Sequence, residues 1–297
     1  MAKDSTIAVV IPVHNRRDEL LRALRSVLHQ STPVQEIWVI DDASTIALTP
    51  FSELEHCNII RYHQLEEKSN ANVARNKGAE LSNADFIAFL DSDDEWEVNY
   101  IEQCKSYLNK GHAGYFSQSK IYKGGQATAK ISRPWEENVS AVNFLLDGGF
   151  AQTSSFIVDR DSFLKVQFDE ELKRHQDFDF FVRYAKSFRW VQLPVCAVLV
   201  HWEENRKVTR DAASEMKFIQ RNASEIHPKI LKRYLRMQYD YFFYNGSRRD
   251  YSLHQSMLFR VISELTFSDY KSFFKEKSWL YLNTMGLLRY IFLKLKG

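Results

Sequence analysis

The sequence predicts an α/β fold: a mostly parallel sheet flanked by helices, followed by a helical C-terminal extension. Short β-branched apolar runs alternate with stretches of helical periodicity, and three of those runs end in polar or acidic residues. Residues 7–12 (IAVVIP) are continuously apolar, as a strand buried on both faces must be. Over 17–30, Leu20, Leu21, Leu24, Val27 and Leu28 fall on one helical stripe. A second strand, Ile37–Ile40, stops at Asp41-Asp42; a third lies near Asn58–Tyr62, and a helix covers Asn72–Leu81. The fourth strand, Asp85–Leu90, runs into Asp91-Ser92-Asp93-Asp94. Beyond it the pattern gives a helix over 97–109, a strand near 114–122 and a flexible polar loop at 123–138. A strand near 154–158, a helix over 177–186 and a strand near 195–200 follow, and from 211 the chain reads as helix to its end.

Composition narrows the function. The 297 residues carry 40 Lys and Arg against 38 Asp and Glu, a net charge of +2 that argues against nucleic acid as a partner. A 44% hydrophobic content excludes a disordered chain. The near-neutral total conceals a division. Residues 228–297 hold 13 basic and 5 acidic residues, a balance of +8, which leaves −6 for the first 227. Three unevenly spaced cysteines, Cys57, Cys104 and Cys196, form neither a disulfide framework nor a zinc site and read as buried thiols of a cytoplasmic protein. The longest uncharged stretch, Trp190–Trp202, contains Pro194 and falls short of the roughly 20 residues that a spanning helix needs. The apolar run at the N-terminus is too short for a signal peptide.

The chemistry gathers at strand ends: Pro12-Val13-His14-Asn15, Asp41-Asp42 and Asp91-Ser92-Asp93-Asp94. In a parallel sheet the ligand crevice lies outside the carboxyl ends of the strands. So many carboxylates would repel a bare phosphate, and a hard divalent cation, Mg²⁺ or Mn²⁺, reconciles the two. Helix capping would explain one acid after the fourth strand, not three within four residues. Asp41-Asp42 alone also fits an ordinary strand-to-loop turn. Arg75, near the start of a helix, could present its fork to phosphate oxygens or lie on the surface. No phosphate-gripping Gly-Lys loop and no Gly-x-Gly-x-x-Gly occurs, which weakens ATPase and dehydrogenase readings.

IAVVIPVHNRRDELLRALRSVLHQ, IWVIDDAST and NVARNKGAELSNADFIAFLDSDDEW, in that order, resemble the nucleotide-sugar-binding half of a family 2 glycosyltransferase with the GT-A (Rossmann-like) fold. A weaker resemblance continues through TSSFIVDRDSF, FDEEL and QDFDFFVRYAK. It implies a glycosyltransferase domain over 1–210, with a nucleotide-sugar-binding half (1–100) and an acceptor half (101–210), and a separate basic, aromatic-rich region over 211–297. It further implies a metal-dependent, inverting hexosyltransferase that moves a sugar from a nucleotide diphosphate donor, UDP foremost, onto a glycan or lipid-linked acceptor. The implied setting is bacterial surface polysaccharide synthesis, such as O-antigen or capsule. A sugar nucleotidyltransferase or an inactive nucleotide-sugar-binding module are the alternatives.

By the same resemblance Pro12, Val13, His14 and Asn15 line the nucleotide, Asp42 contacts the base and Arg75 approaches the diphosphate. Asp91 and Asp93 correspond to the Asp-x-Asp that holds ribose and metal, with Asp94 beside them as a third ligand. The catalytic base belongs at Gln176-Asp177, which selects Asp177; Asp179 is the other candidate, with Arg183 one helical turn away as a structural partner. Where family members carry a histidine near the diphosphate this chain has Glu204, so that His201, or Arg206 and Lys207, would substitute, or the contact is missing. The C-terminal region suits a helix at an anionic bilayer surface on the inner face of the cytoplasmic membrane, a packed helical subdomain, or a homodimer contact.

Overall fold

The strand β1 (Ile7–Val13) is buried at every residue and lies between β2 (Glu36–Asp41) and β4 (Phe86–Phe89), parallel to both. The computed structural model describes residues 5–108, 114–130, 132–136, 138–202 and 211–245. A parallel edge strand, β3 (Ile60–Gln64), completes this half of the sheet. Its crossover helices are α1 (Arg17–Leu28), which buries Leu20, Leu21, Ala23, Leu24 and Val27, and α2 (Ala71–Leu81).

Beyond β4 the sheet becomes mixed. The short β8 (Ile157–Asp159) pairs antiparallel with β4 and with β6 (Gly114–Lys123), and β6 runs parallel to β9 (Trp190–His201). The two-residue β5 (Glu95–Trp96) closes the order β3-β2-β1-β4-β8-β6-β9-β5. The predicted parallel arrangement thus holds for the first four strands and, beyond them, only for the β6–β9 pair. Parallel neighbours require a long crossover, which separates β6 from β9, whereas the other connections of this half are turns and short helices. Those helices are α3 (Tyr100–Lys105), α4 (Ala141–Leu146) and α5 (Arg160–Val166), with the longer α6 (Gln176–Ala185) before β9. Part of the expected flexible loop is instead a strand, β7 (Gln126–Lys130), paired with β6. Gly124 and Gly125 turn the chain with φ of +58° and +78°, the left-handed pair that a tight hairpin demands.

The two halves have different interiors. Aliphatic side chains from β1, β2 and α1 fill the first. The second is aromatic: Phe116, Phe144, Phe156, Phe180, Phe181 and Trp190 are fully buried, and Phe181 stacks on Trp190 at 4.8 Å. Trp135 joins this cluster against Phe144 and Phe181. The cysteines are free thiols, of which Cys104 is buried and Cys57 and Cys196 only half-buried, a correction to the expectation for all three.

The chain divides into two units, Met1–Ser214 and Glu215–Gly297, with the boundary inside α7 (Ala212–Asn222). The second unit contributes α8 (Pro228–Asn245), which buries Leu231, Tyr234 and Leu235. The expected bilayer or homodimer contact, at the C-terminal end, lies outside the described residues, as do Glu204, Arg206 and Lys207. Among the described residues no helix is long and apolar enough to cross a membrane.

One glycine sets how closely α2 lies on the sheet. A Cβ at Gly78 would overlap Val10 Cγ1 and lie 3.1 Å from Ile40 Cγ1. Alanine favours a helix by about 1 kcal/mol, but overpacking typically costs about 1–3 kcal/mol and the buried strands cannot retreat. Gly78→Ala is therefore expected to lower stability by about 1–2 kcal/mol in urea denaturation. An unchanged or raised midpoint would mean that α2 is not in tight contact with β1 and β2.

Candidate active site

The carboxyl ends of β1, β2 and β4 open onto a cavity of about 330 Å³. Pro12, Val13, His14, Asp42, Arg75, Asp91 and Asp93, all expected at the site, line it together. Three further lining residues, Arg16, Ala71 and Ser92, were not anticipated. Arg16 follows directly on the polar segment after β1, a position that could have been included.

Each wall is built by local hydrogen bonding. The His14 Nδ1–H donates to the Asp42 carbonyl at 2.8 Å, which fixes Nε2 as the acceptor for Lys68 Nζ at 3.0 Å and Asn15 Nδ2 at 3.1 Å. Lys68, on the loop before α2, had no signal in the sequence beyond its charge. Asp42 is buried and accepts the Ser69 amide at 2.6 Å. Its neighbour Asp41 accepts from the Ser44 amide and the Tyr62 hydroxyl, and so serves the turn. Asn15 does not line the cavity. In the left-handed region at φ +54°, it accepts from the Thr45 and Ile46 amides and ties the loop after β1 to the loop after β2.

Arg75 projects from the first turns of α2, which is capped by the Asn70 side chain at the amides of Asn72 and Val73. Only 4% exposed, Arg75 pairs with Asp91 Oδ1 at 2.5 Å, donates to Asn72 Oδ1 at 3.1 Å and lies over the Phe168 ring at 5.2 Å. The surface alternative for Arg75 is thereby set aside. Asp93 pairs with Arg16 at 2.6 Å. Asp91 and Asp93 each keep a second carboxylate oxygen with no hydrogen-bond partner among the described residues.

Asp94 is different. Buried and directed away from the cavity, it accepts the Ser154 hydroxyl at 2.6 Å and the His201 amide at 3.1 Å, binding the end of β4 to β9. Burial, reinforced by the charges of Asp91 and Asp93, pushes its carboxyl well above the usual range. It does not share the cavity with the other two acids, so the structure offers Asp91 and Asp93 as a pair rather than a triad. His201 also turns from the cavity, to Glu95 at 2.6 Å and to the Tyr122 ring.

The two acids of α6 separate in the same manner. Asp179 is buried against Arg183 at 2.6 Å, the i to i+4 partner expected. Asp177, at the first turn, is half-buried as a residue, but its carboxyl group is enclosed. Desolvation lifts its pKa to about 6. The Phe178 amide and the Arg75 charge oppose that rise, and Asp91 adds to it. Asp177 therefore feels both members of the Arg75–Asp91 pair, although it comes from the other half of the domain.

Two oxygen donors without a third protein ligand fit a divalent cation of the Mg²⁺ type, which commonly takes one or two carboxylates and completes its shell with water and substrate phosphates. Among the described residues no group of three His, Cys, Asp or Glu side chains could hold a metal ion unaided.

The model of the family described as "Glycosyl transferase family 2" matches residues 8–172. The amylovoran biosynthesis glycosyltransferase AmsB of Erwinia amylovora is 30% identical over 204 residues, 64% of this chain and 68% of the relative. The poly(ribitol-phosphate) beta-N-acetylglucosaminyltransferase TarP of Staphylococcus aureus is 32% identical over 105 residues, 34% of this chain and 32% of TarP. In three dimensions the crystal structure of S. aureus TarS in complex with UDP-GlcNAc superposes with a TM-score of 0.71 at 17% identity, covering 89% of this chain and 82% of that one. That likeness shows the same fold.

A carboxyl whose pKa is raised by folding stabilises the protein while protonated and loses that contribution as the pH climbs through the folded value. For Asp177 the loss runs from the ordinary carboxylate range up to about 6. Asp177→Asn should therefore come within about 0.5 kcal/mol of wild type in urea denaturation near about pH 4 and exceed it by about 3 kcal/mol near about pH 8. Equal stability at both values would mean that the carboxyl is solvated.

Proposed function

The chain belongs to glycosyl transferase family 2 and is a glycosyltransferase, and we propose that it moves a sugar from a UDP-sugar to a glycan or lipid-linked acceptor, with inversion, in bacterial surface polysaccharide assembly. The observation that carries this reading is the convergence of His14, Asp42, Arg75, Asp91 and Asp93 on one cavity at the strand ends, with the Asp177 carboxyl within reach of the Arg75 and Asp91 charges. The UDP donor is supported by TarS, which is seen with UDP-GlcNAc, and the polysaccharide setting by AmsB.

In this reading the acceptor hydroxyl oxygen attacks the anomeric carbon while Asp177 takes its proton. The bond from that carbon to the diphosphate oxygen breaks, and its electron pair leaves with UDP. A base with a pKa just below neutrality is ionised at working pH yet still a competent proton acceptor. Arg75 faces the departing charge, and Asp42, His14 and the backbone at Pro12–Val13 form the nucleotide wall. Asp91 and Asp93 would hold Mn²⁺ or Mg²⁺, which when bound neutralises the diphosphate.

A panel of UDP-sugars, assayed for UDP release with Mn²⁺, Mg²⁺ or a chelator, tests the proposal. Release is expected with one or a few donors, lost with chelator, and rising with pH through a midpoint of about 6. Asp177→Asn should lower it by about 10²–10⁴-fold while leaving UDP affinity within a few-fold. Formation of UTP and sugar 1-phosphate from a UDP-sugar on addition of pyrophosphate would instead identify a nucleotidyltransferase, and full activity in Asp177→Asn would remove Asp177 from the chemistry.

A further inference from the structure

The Arg75–Asp91 pair and Asp177 belong to segments about a hundred residues apart, and three asparagines of α2 and its cap join them. Asn72, fully buried, donates through Nδ2 to the Asp169 carbonyl at 2.7 Å and to the Leu172 carbonyl at 3.2 Å. Asn76, 2% exposed, exchanges hydrogen bonds with both backbone groups of Phe168, at 2.9 and 3.0 Å. Asn70 Nδ2 donates to the Glu170 carbonyl at 2.7 Å. The segment so gripped leads directly into α6. The Leu172 carbonyl also accepts from Gln176 Nε2 at 3.1 Å, so one oxygen receives both Asn72 and the residue next to Asp177.

The opposite end of the Asn72 amide completes the link. Its Oδ1 accepts from Arg75 Nη1, and Arg75 Nη2 holds Asp91. An amide is the one neutral side-chain group that can accept from a guanidinium and donate to two carbonyls at once. Just before α6, His175 adopts φ +57°, a left-handed conformation that a non-glycine residue keeps only where its surroundings impose it.

We propose that Asn72 is a positioning residue that sets donor grip and proton acceptor in register: its oxygen orients Arg75 toward Asp91, and its N–H groups, through the Leu172 carbonyl shared with Gln176, fix Asp177 opposite that pair. The role of Asp177 in this statement rests on the function proposed above. Gln176 takes part as a donor, which an ionised glutamate could not do.

The test compares Asn72→Asp, Asn72→Ala and Gln176→Glu with wild type. Asn72→Asp keeps the acceptor for Arg75 and loses the donors to 169 and 172. It should therefore retain UDP affinity by calorimetry within a few-fold while kcat for UDP release falls by about tenfold or more. Asn72→Ala should lose both properties, and Gln176→Glu should lose kcat alone. Carboxyl ¹³C NMR of labelled aspartates, with Asp177 assigned from Asp177→Asn, reads the same placement without turnover. The Asp177 midpoint, set among Arg75, Asp91 and its own desolvation, should fall from about 6 toward the ordinary range in Asn72→Ala, which adds no charge. Should Asn72→Ala fail to fold, the other two variants decide. If Asp177→Asn is inactive while Asn72→Asp and Gln176→Glu keep wild-type kcat, the positioning role is overturned and the base assignment stands. If Asp177→Asn remains active, the base assignment fails first.

Discussion

The Arg75–Asp91 ion pair is the joint on which the site depends. A guanidinium with 4% exposure is tolerable only when its charge is answered, and Asp91 answers it at 2.5 Å. Lysine at 75 could not reach Asp91 and Asn72 with separate nitrogens, because it has only one. The pair also fixes where α2 must lie. Gly78 allows α2 to approach β1 and β2, Arg160 donates to the Ala79 carbonyl near its end, and Arg75 anchors its first turns to the end of β4. Held at both ends, α2 presents its asparagines to the segment that precedes α6.

Carboxylates at this face divide by environment rather than by sequence position. Asp41, Asp94 and Asp179 have their acceptor capacity taken up by turns, hydroxyls, amides or an arginine. Asp42, Asp91 and Asp93 line the cavity, and Asp177 is enclosed near Arg75 and Asp91. The first three build the loops that carry the others, and Asp42, Asp91 and Asp93 face the cavity.

The unbroken apolar run at 7–12 and the helical stripe at 17–30 were sufficient to locate β1 and α1. Acids at strand ends were equally legible. What could not be read was direction. Asp93 and Asp94 are adjacent, yet one faces the cavity and the other faces Ser154 and the backbone of His201, a choice made by β9 more than a hundred residues later. The hairpin at Gly124-Gly125 was missed for a local reason: its second strand, β7, is exposed at every residue and so carries no apolar alternation. Asn72 was visible as a residue but not as a link, since its partners at 169 and 172 follow no spacing rule.

The aromatic interior of the second half bears on the chemistry through rigidity. Phe180 stacks on Phe168 at 4.4 Å, and Phe168 also receives Arg75 and exchanges backbone hydrogen bonds with Asn76. Phe181, on the same helix, lies against Trp190. Rings offer large buried contact with few torsions to order, so α6 is held by shape as well as by hydrogen bonds. A carboxyl kept near 6 by desolvation requires such confinement, because a helix free to shift would admit water and return Asp177 to an ordinary acid. The aromatic packing of this half thus holds the helix that carries Asp177, and a fixed helix is what keeps that carboxyl enclosed near the Arg75–Asp91 pair.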